Sequence, residues 1–288
     1  MNTPIADADS PAAPALHGRA LVLGSGGVTG IAWEIGILEA FEAAGVGVGR
    51  ADIVLGSSAG ALVGAHLTLG ASAASLATDV VPRLATHGRL TPRALALMLA
   101  AQLAPDRQGA LVRLGRRGAG HAVLEEPEWV ELMSERLAGA AWPAALRVAA
   151  INALTGELRV FGPDDGVDLA RAVAASCAVP SIFPGVTIDG APYMDGGLAS
   201  LANIDLVAGS ARVLALTPFR NARDPARRPG AQLRALPDGT SWLHLWPDSA
   251  AARAVGADPL RAERAASALD QGRRQGRARV TTARRIWG

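Results

Sequence analysis

Along this chain, short unbroken apolar runs alternate with longer stretches of helical spacing, the order expected of strands buried on both faces and joined by helices. Ala20-Leu21-Val22-Leu23 is the first run. It enters Gly24-Ser25-Gly26-Gly27-Val28-Thr29-Gly30, after which Ile31, Ile35, Leu38, Glu39 and Glu42 begin a helix. Ala51-Asp52-Ile53-Val54-Leu55 is the second run, and it is separated from the helical Ala61-Leu62-Val63-Gly64-Ala65 by Gly56-Ser57-Ser58-Ala59-Gly60. Thr91-Pro92, cap then first-turn proline, starts a helix carrying Leu95, Leu97, Met98, Leu99 and Leu103. Its apolar residues nearly encircle it, which favours packing under other helices over a cover that meets lipid. Arg107, Arg113, Arg116 and Arg117, with Gly115, Gly118 and Gly120, predict a polar, mobile loop, and Glu126-Pro127-Glu128 starts a helix through Leu137.

In the second half, Ala172 to Pro184 leads to Val186-Thr187-Ile188, and Asp189-Gly190 is a hairpin signal before Tyr193-Met194-Asp195-Gly196-Gly197. Asp195 therefore ends a short strand at a Gly-Gly loop. Ala202 to Ala208 reads as a helix, Arg212 to Leu216 as a buried strand, and Pro218 to Pro237 as a surface loop. Trp242 to Trp246 alternates like a strand. Pro259 to Trp287 is a long Arg-rich helical segment interrupted by Gly272 and Gly276.

Ser58 sits where a strand turns into a helix between Gly56 and Gly60, the setting in which hydrolases hold a nucleophile. The following helix N-terminus points free N–H groups at whatever Ser58 attacks. An ordinary Gly/Ser turn is the plain alternative, as a plain turn is for Asp-Gly-Gly. The loop from Gly24 to Gly30 has two readings of its own: a phosphate cradle for a dinucleotide, or an oxyanion hole for an acyl transition state. Thr29 stands where G-x-G-x-x-G asks for glycine, and the acidic partner expected after the second strand is missing, so the oxyanion reading is preferred.

Glycine-rich loop, serine elbow and Asp-Gly-Gly, in this order, resemble the patatin-like phospholipase family. The likeness covers residues 20 to 70 and 145 to 217, with Arg147 to Asn152 and Val160-Phe161 similar to its central strand pair. It implies a single-domain α/β, three-layer fold over residues 18–288, a mostly parallel sheet flanked by helices, with a helical cover around 71–144. It also implies a lipid or other acyl ester as substrate, cleaved by a Ser-Asp dyad through an acyl-enzyme without a cofactor. Ser58 is then the nucleophile, Asp195 the base, and Gly26 and Gly27 the oxyanion donors, with Gly24, Gly30, Gly56, Gly60, Gly196 and Gly197 shaping the loops. The family often has Arg where this chain has Thr29. That departure motivates an alternative, a catalytically weak member that binds lipid or a partner in the same cleft. A second alternative is a conventional Ser58, Asp195, His244 triad in an α/β-hydrolase, against which the elbow comes too early and His244 alternates as a strand residue. His66, two turns down the helix from Ser58, reads as a helix-face residue.

The 288 residues are half apolar but only 4% aromatic, so Ala, Val and Leu must fill a large core. All 28 basic residues are Arg against 26 acidic ones, and a net charge of +2 is no nucleic-acid footprint. The one cluster, Arg273, Arg274, Arg277, Arg279, Arg284 and Arg285, is most simply a solvated face, with attraction to anionic headgroups and transient membrane contact as the lesser reading. Cys177 is the sole cysteine, so no internal disulfide forms, and the scattered histidines (His17, His66, His87, His121, His244) show no metal-ligand spacing. Residues 1–17 read as a disordered tail rather than a signal peptide, and no apolar run reaches the ~20 residues of a membrane span. A cytoplasmic protein, at most peripheral to a membrane, is the expectation.

Overall fold

The computed structural model describes residues 16–83 and 89–288. The expected tail falls, over residues 1–15, outside the described residues, whereas His17 opens a strand. Among the described residues one sheet is built from β1 (His17–Leu23), β2 (Ile53–Ser57), β3 (Leu146–Asn152), β4 (Leu158–Phe161), β5 (Val186–Ile188), β6 (Ala191–Asp195), β7 (Ser210–Leu216) and β8 (Ser241–Leu245). Its order is β5-β6-β3-β2-β1-β7-β8, with β4 also on β3. From β3 to β8 the strands run parallel, while β4, β5 and β6 are antiparallel to their neighbours.

Parallel neighbours require crossovers, and helices supply them. α1 (Gly27–Ala43) joins β1 to β2. Between β2 and β3 come α2 (Ala59–Thr68), the single turn α3 (Ala73–Ser75), α4 (Pro92–Leu103), α5 (Arg107–Gly118) and α6 (Glu126–Leu137). α7 (Leu169–Ser176) precedes the β5–β6 hairpin, whose turn holds Asp189 and Gly190 at φ of 52° and 76°. α8 (Pro229–Arg234) lies inside the segment expected to be loop, and α9 (Ser249–Val255), α10 (Ala265–Arg277) and α11 (Val280–Trp287) close the chain.

Alternate residues of β1 feed two cores, as a strand buried on both faces must. Leu21 and Leu23 join the large cluster under α1, α2, α7 and α10, while Ala20 and Val22 pack with Ile204, Val207, Leu233 and Leu236. The result is the expected three-layer α/β arrangement, thick on one face and thin on the other. The thin layer is α8 with a 3₁₀ turn, Ile204–Val207, where a helix was expected, and α5, whose Leu111 packs on Ile151 and Met194.

Three further expectations change. α10 runs straight through Gly272 and Gly276, because these glycines admit α1: a β-carbon on Gly272 would lie 2.3 Å from the Trp33 carbonyl, and one on Gly36 would lie 2.2 Å from that of Leu269. The expected loop of Arg107 to Gly118 is helical, capped by the Asp106 carboxylate on the Gly109 N–H (2.9 Å). Finally α4 is not packed under other helices. Leu95, Leu99 and Leu103 share one face and are 43, 48 and 51% exposed, and only Ala94 and Ala101 on that helix are buried.

Candidate active site

The register of β3 decides which residues meet. β4 occupies one edge of β3 from Val148 to Ile151, so β2 and β6 share the other edge end to end. β2 pairs through Ala149, which faces Ser57, and β6 takes over at Ala150, which faces Asp195. The C-terminal ends of β2 and β6 therefore abut, with Ser58 just beyond one and Asp195 closing the other.

Ser58 has φ 54° and ψ −121°, a backbone conformation that L-residues adopt only under compulsion. The compulsion is visible around it. Its N–H donates to Ser176 Oγ (2.9 Å), whose own hydroxyl donates to the Ala149 carbonyl (2.7 Å). A β-carbon on Gly60 would sit 2.1 Å from the Leu23 carbonyl, so only glycine lets α2 start this close to β1. Beside the elbow, Asn203 Nδ2 donates to Ser57 Oγ (2.9 Å) and to the Gly196 carbonyl (3.3 Å), tying the serine turn to the aspartate loop.

Asp195 is 4% exposed, and burial pushes it up to about 6 against the pull of hydrogen bonds from the Ser58 hydroxyl and the Gly197 N–H, the latter 2.7 Å long. A carboxylate of that strength is a better base than a free aspartate. Gly197 is needed for close approach, since a β-carbon there would lie 1.9 Å from Ser25 Oγ.

The glycine-rich loop turns into α1 at Gly27, four residues earlier than expected. Its outer amides are spoken for: Gly24 N–H reaches the Leu216 carbonyl (2.9 Å) and Glu34 Oε1 (3.0 Å), Ser25 N–H reaches Leu201, and Thr29 N–H reaches the Pro259 carbonyl at 3.0 Å. The first helical bond runs from Gly30 N–H to Gly26. Among the described residues, no acceptor takes the N–H groups of Gly26, Gly27 and Val28. Neither α1 nor α2 has a side-chain cap, although Thr91, Asp106, Asp168 and Asp248 cap α4, α5, α7 and α9. Two helix N-termini thus turn bare donors and positive dipole ends toward the same space.

That space is a cavity of about 440 Å³ bordered by Ser25, Gly26, Gly27, Ser58 and Asp195. Its walls are apolar and include Ile31, Leu62, Met98 and the stacked Trp129 and Phe183 rings, 4.1 Å between centroids. His244 is elsewhere: on β8, three strands from β2, its Nε2 meets Thr217 Oγ1 at 2.7 Å, and burial lowers it to about 4 with help from Arg220. His66, lowered by burial and by Arg136, does not border the cavity. No group of three metal-ligating side chains occurs among the described residues.

A family model described as patatin-like phospholipase matches residues 21–208. The chain belongs to that family. Patatin-like proteins are lipid hydrolases, and the matched span runs from the glycine-rich loop past the Asp-Gly-Gly turn. No curated protein matches the chain. Among solved structures, the chain is similar to VipD from Legionella pneumophila (TM-score 0.48, 14% identity, covering 94% of this chain and 68% of that one). It is also similar to the type III effector protein ExoU (TM-score 0.44, 19% identity), covering 94% of this chain and about half of the other, 54%.

Three supports of this patatin-like site escaped the sequence reading. Glu34 had a signal, a lone carboxylate inside Ile31-Ala32-Trp33-Glu34-Ile35-Gly36-Ile37-Leu38; it is fully buried, and burial holds it well above the usual carboxylate range. Ser176 had a weaker one, the polar residue closing Ala172 to Ala175. Asn203 had none.

Proposed function

We propose that the protein is a lipid acyl hydrolase working through a Ser58–Asp195 dyad. The observation that carries this reading is the end-to-end meeting of β2 and β6 on one edge of β3, which sets the strained serine against a buried carboxylate. Ser58 Oγ attacks the ester carbonyl while its proton passes to Asp195. The oxyanion takes hydrogen bonds from the unpaired amides of Gly26 and Gly27, with Val28 beside them. Asp195 returns the proton to the leaving alcohol, and water, deprotonated in turn by Asp195, releases the fatty acid and restores Ser58. An apolar cavity of this size suits an acyl chain.

Within the segment from 71 to 144, α4 and α6 serve as the cover. Leu90, Leu95, Met98 and Gln102 face the cavity from that side, while Leu99 and Leu103 continue the exposed row outward. This helix would meet the lipid surface from which substrate is drawn. No described helix is long and apolar enough to cross a membrane, so the contact is peripheral. The test is turnover of a long-chain lipid ester by purified wild type, Ser58→Ala and Asp195→Asn. Both variants should lose nearly all activity, and substantial hydrolysis by either would remove the dyad.

A further inference from the structure

The cavity described above has one cation in its wall. Arg136, in the last turn of α6, borders it next to Cys177, and it is the only Arg there among the described residues. Other half-buried arginines near the site and along α10 have an occupation. Arg171 pairs with Glu126 at 3.2 Å, Arg273 with Glu39 at 2.8 Å, and Arg107 donates to the carbonyls of Leu198 and Ala199. Arg136 has none: its Nε is buried without an acceptor, and no carboxylate lies within ion-pairing distance among the described residues.

The groups that face it do not neutralise it. Cys177 is a half-buried thiol whose desolvation pushes it up, so it is uncharged, and His66 on α2 is held low by its own burial and by Arg136 itself. Asp195 borders the same cavity but is committed to Gly197 and Ser58. Burial draws the guanidinium down from its ordinary value, and no carboxylate opposes it. A half-buried cation against an apolar wall is costly unless an anion joins it, and among the described residues no carboxylate pairs with it. Thr29 adds no charge from the glycine-rich loop, its neutral hydroxyl donating to the Pro259 carbonyl.

We infer that Arg136 pairs with an anionic group of the bound lipid, the phosphodiester of a glycerophospholipid, and so selects phospholipids over neutral glycerides. This deepens the hydrolase reading and rests on it. A planar guanidinium with free N–H groups suits two phosphate oxygens, and the interaction is strong where water is scarce.

The experiment compares wild type, Arg136→Gln and Arg136→Lys on a diacyl phosphatidylcholine, on the diacylglycerol with the same chains in the same detergent micelles, and on a short p-nitrophenyl ester. The short ester has no anion and reports the catalytic groups alone. Wild type should favour the phospholipid, and Arg136→Gln should lose about tenfold to a hundredfold in kcat/KM on it, mainly through KM, while staying within about twofold on both neutral esters. Arg136→Lys should recover part of the loss. An equal fall on all three substrates, or an unfolding of Arg136→Gln in a melt that Arg136→Lys escapes, would make Arg136 structural and overturn the assignment. So would unchanged phospholipid kinetics with relief of inhibition by added fatty acid, because the anion would then be the product carboxylate. If wild type hydrolyses none of the three esters, the hydrolase reading itself fails rather than this one.

Discussion

Burial raises Asp195 to about 6, and that one value fixes both a pH profile and a stability difference. As a general base Asp195 must be ionised, so kcat/KM on a soluble ester should rise with pH through an apparent pKa near 6 and then level off. An acid limb centred near the ordinary carboxylate value would mean that another group sets the rate. For stability, the folded pKa lies above the unfolded 3.8, so the contribution is complete below 3.8 and is lost as pH rises through about 6. Asp195→Asn, which cannot ionise, should therefore be more stable than wild type at pH 7.5, by up to about 3 kcal/mol, with the gap closing near pH 3.5 in urea melts. Thr29 belongs to the same scale. It is fully buried against the loop at Pro259, so Thr29→Arg should not restore a family feature but overfill the site, lowering stability by about 1–3 kcal/mol and slowing acylation. A faster and equally stable Thr29→Arg would show that the loop has room and lacks a donor.

At the scale of elements, what could be read from the chain was local, and what could not was register and exposure. The strands of the parallel sheet, the Thr91-Pro92 helix start and the Asp189-Gly190 hairpin each carry their signal within a few residues. That β6 continues the edge of β3 left by β2 carries none, because it follows from where two strands stop rather than from any residue type. The α10 glycines misled for the same reason, since a glycine that breaks a helix and one that admits a neighbouring backbone are identical in sequence. α4 misled through its apolar composition: spacing reveals a face but not whether anything covers it. Within the site the loops were legible and their struts were not. Ser176 is the strut between β3 and the elbow, so Ser176→Ala leaves the Ser58 N–H without its acceptor. The variant should lose about 1–3 kcal/mol in a denaturant melt and should turn over more slowly at saturating substrate. Unchanged kcat with unchanged stability would show that the elbow holds its own shape.

For the whole molecule, the cavity opens beside a helix whose leucines face outward, so the response to an interface should separate from the chemistry. Replacing Leu99 and Leu103 together by Gln should leave hydrolysis of a short soluble ester within about twofold and reduce hydrolysis of lipid in vesicles by about tenfold. Equal losses on both substrates would assign those leucines to folding instead. The central claim, that Ser58 carries the acyl group and Asp195 activates it, is met most directly by acid-quenched single turnover of a chromogenic ester, read as intact mass and then by peptide mapping. The adduct should map to Ser58, form at wild-type rate in His244→Ala, and form about 10²–10⁴-fold more slowly in Asp195→Asn. An adduct on any other residue, or one whose formation depends on His244 and not on Asp195, would contradict it.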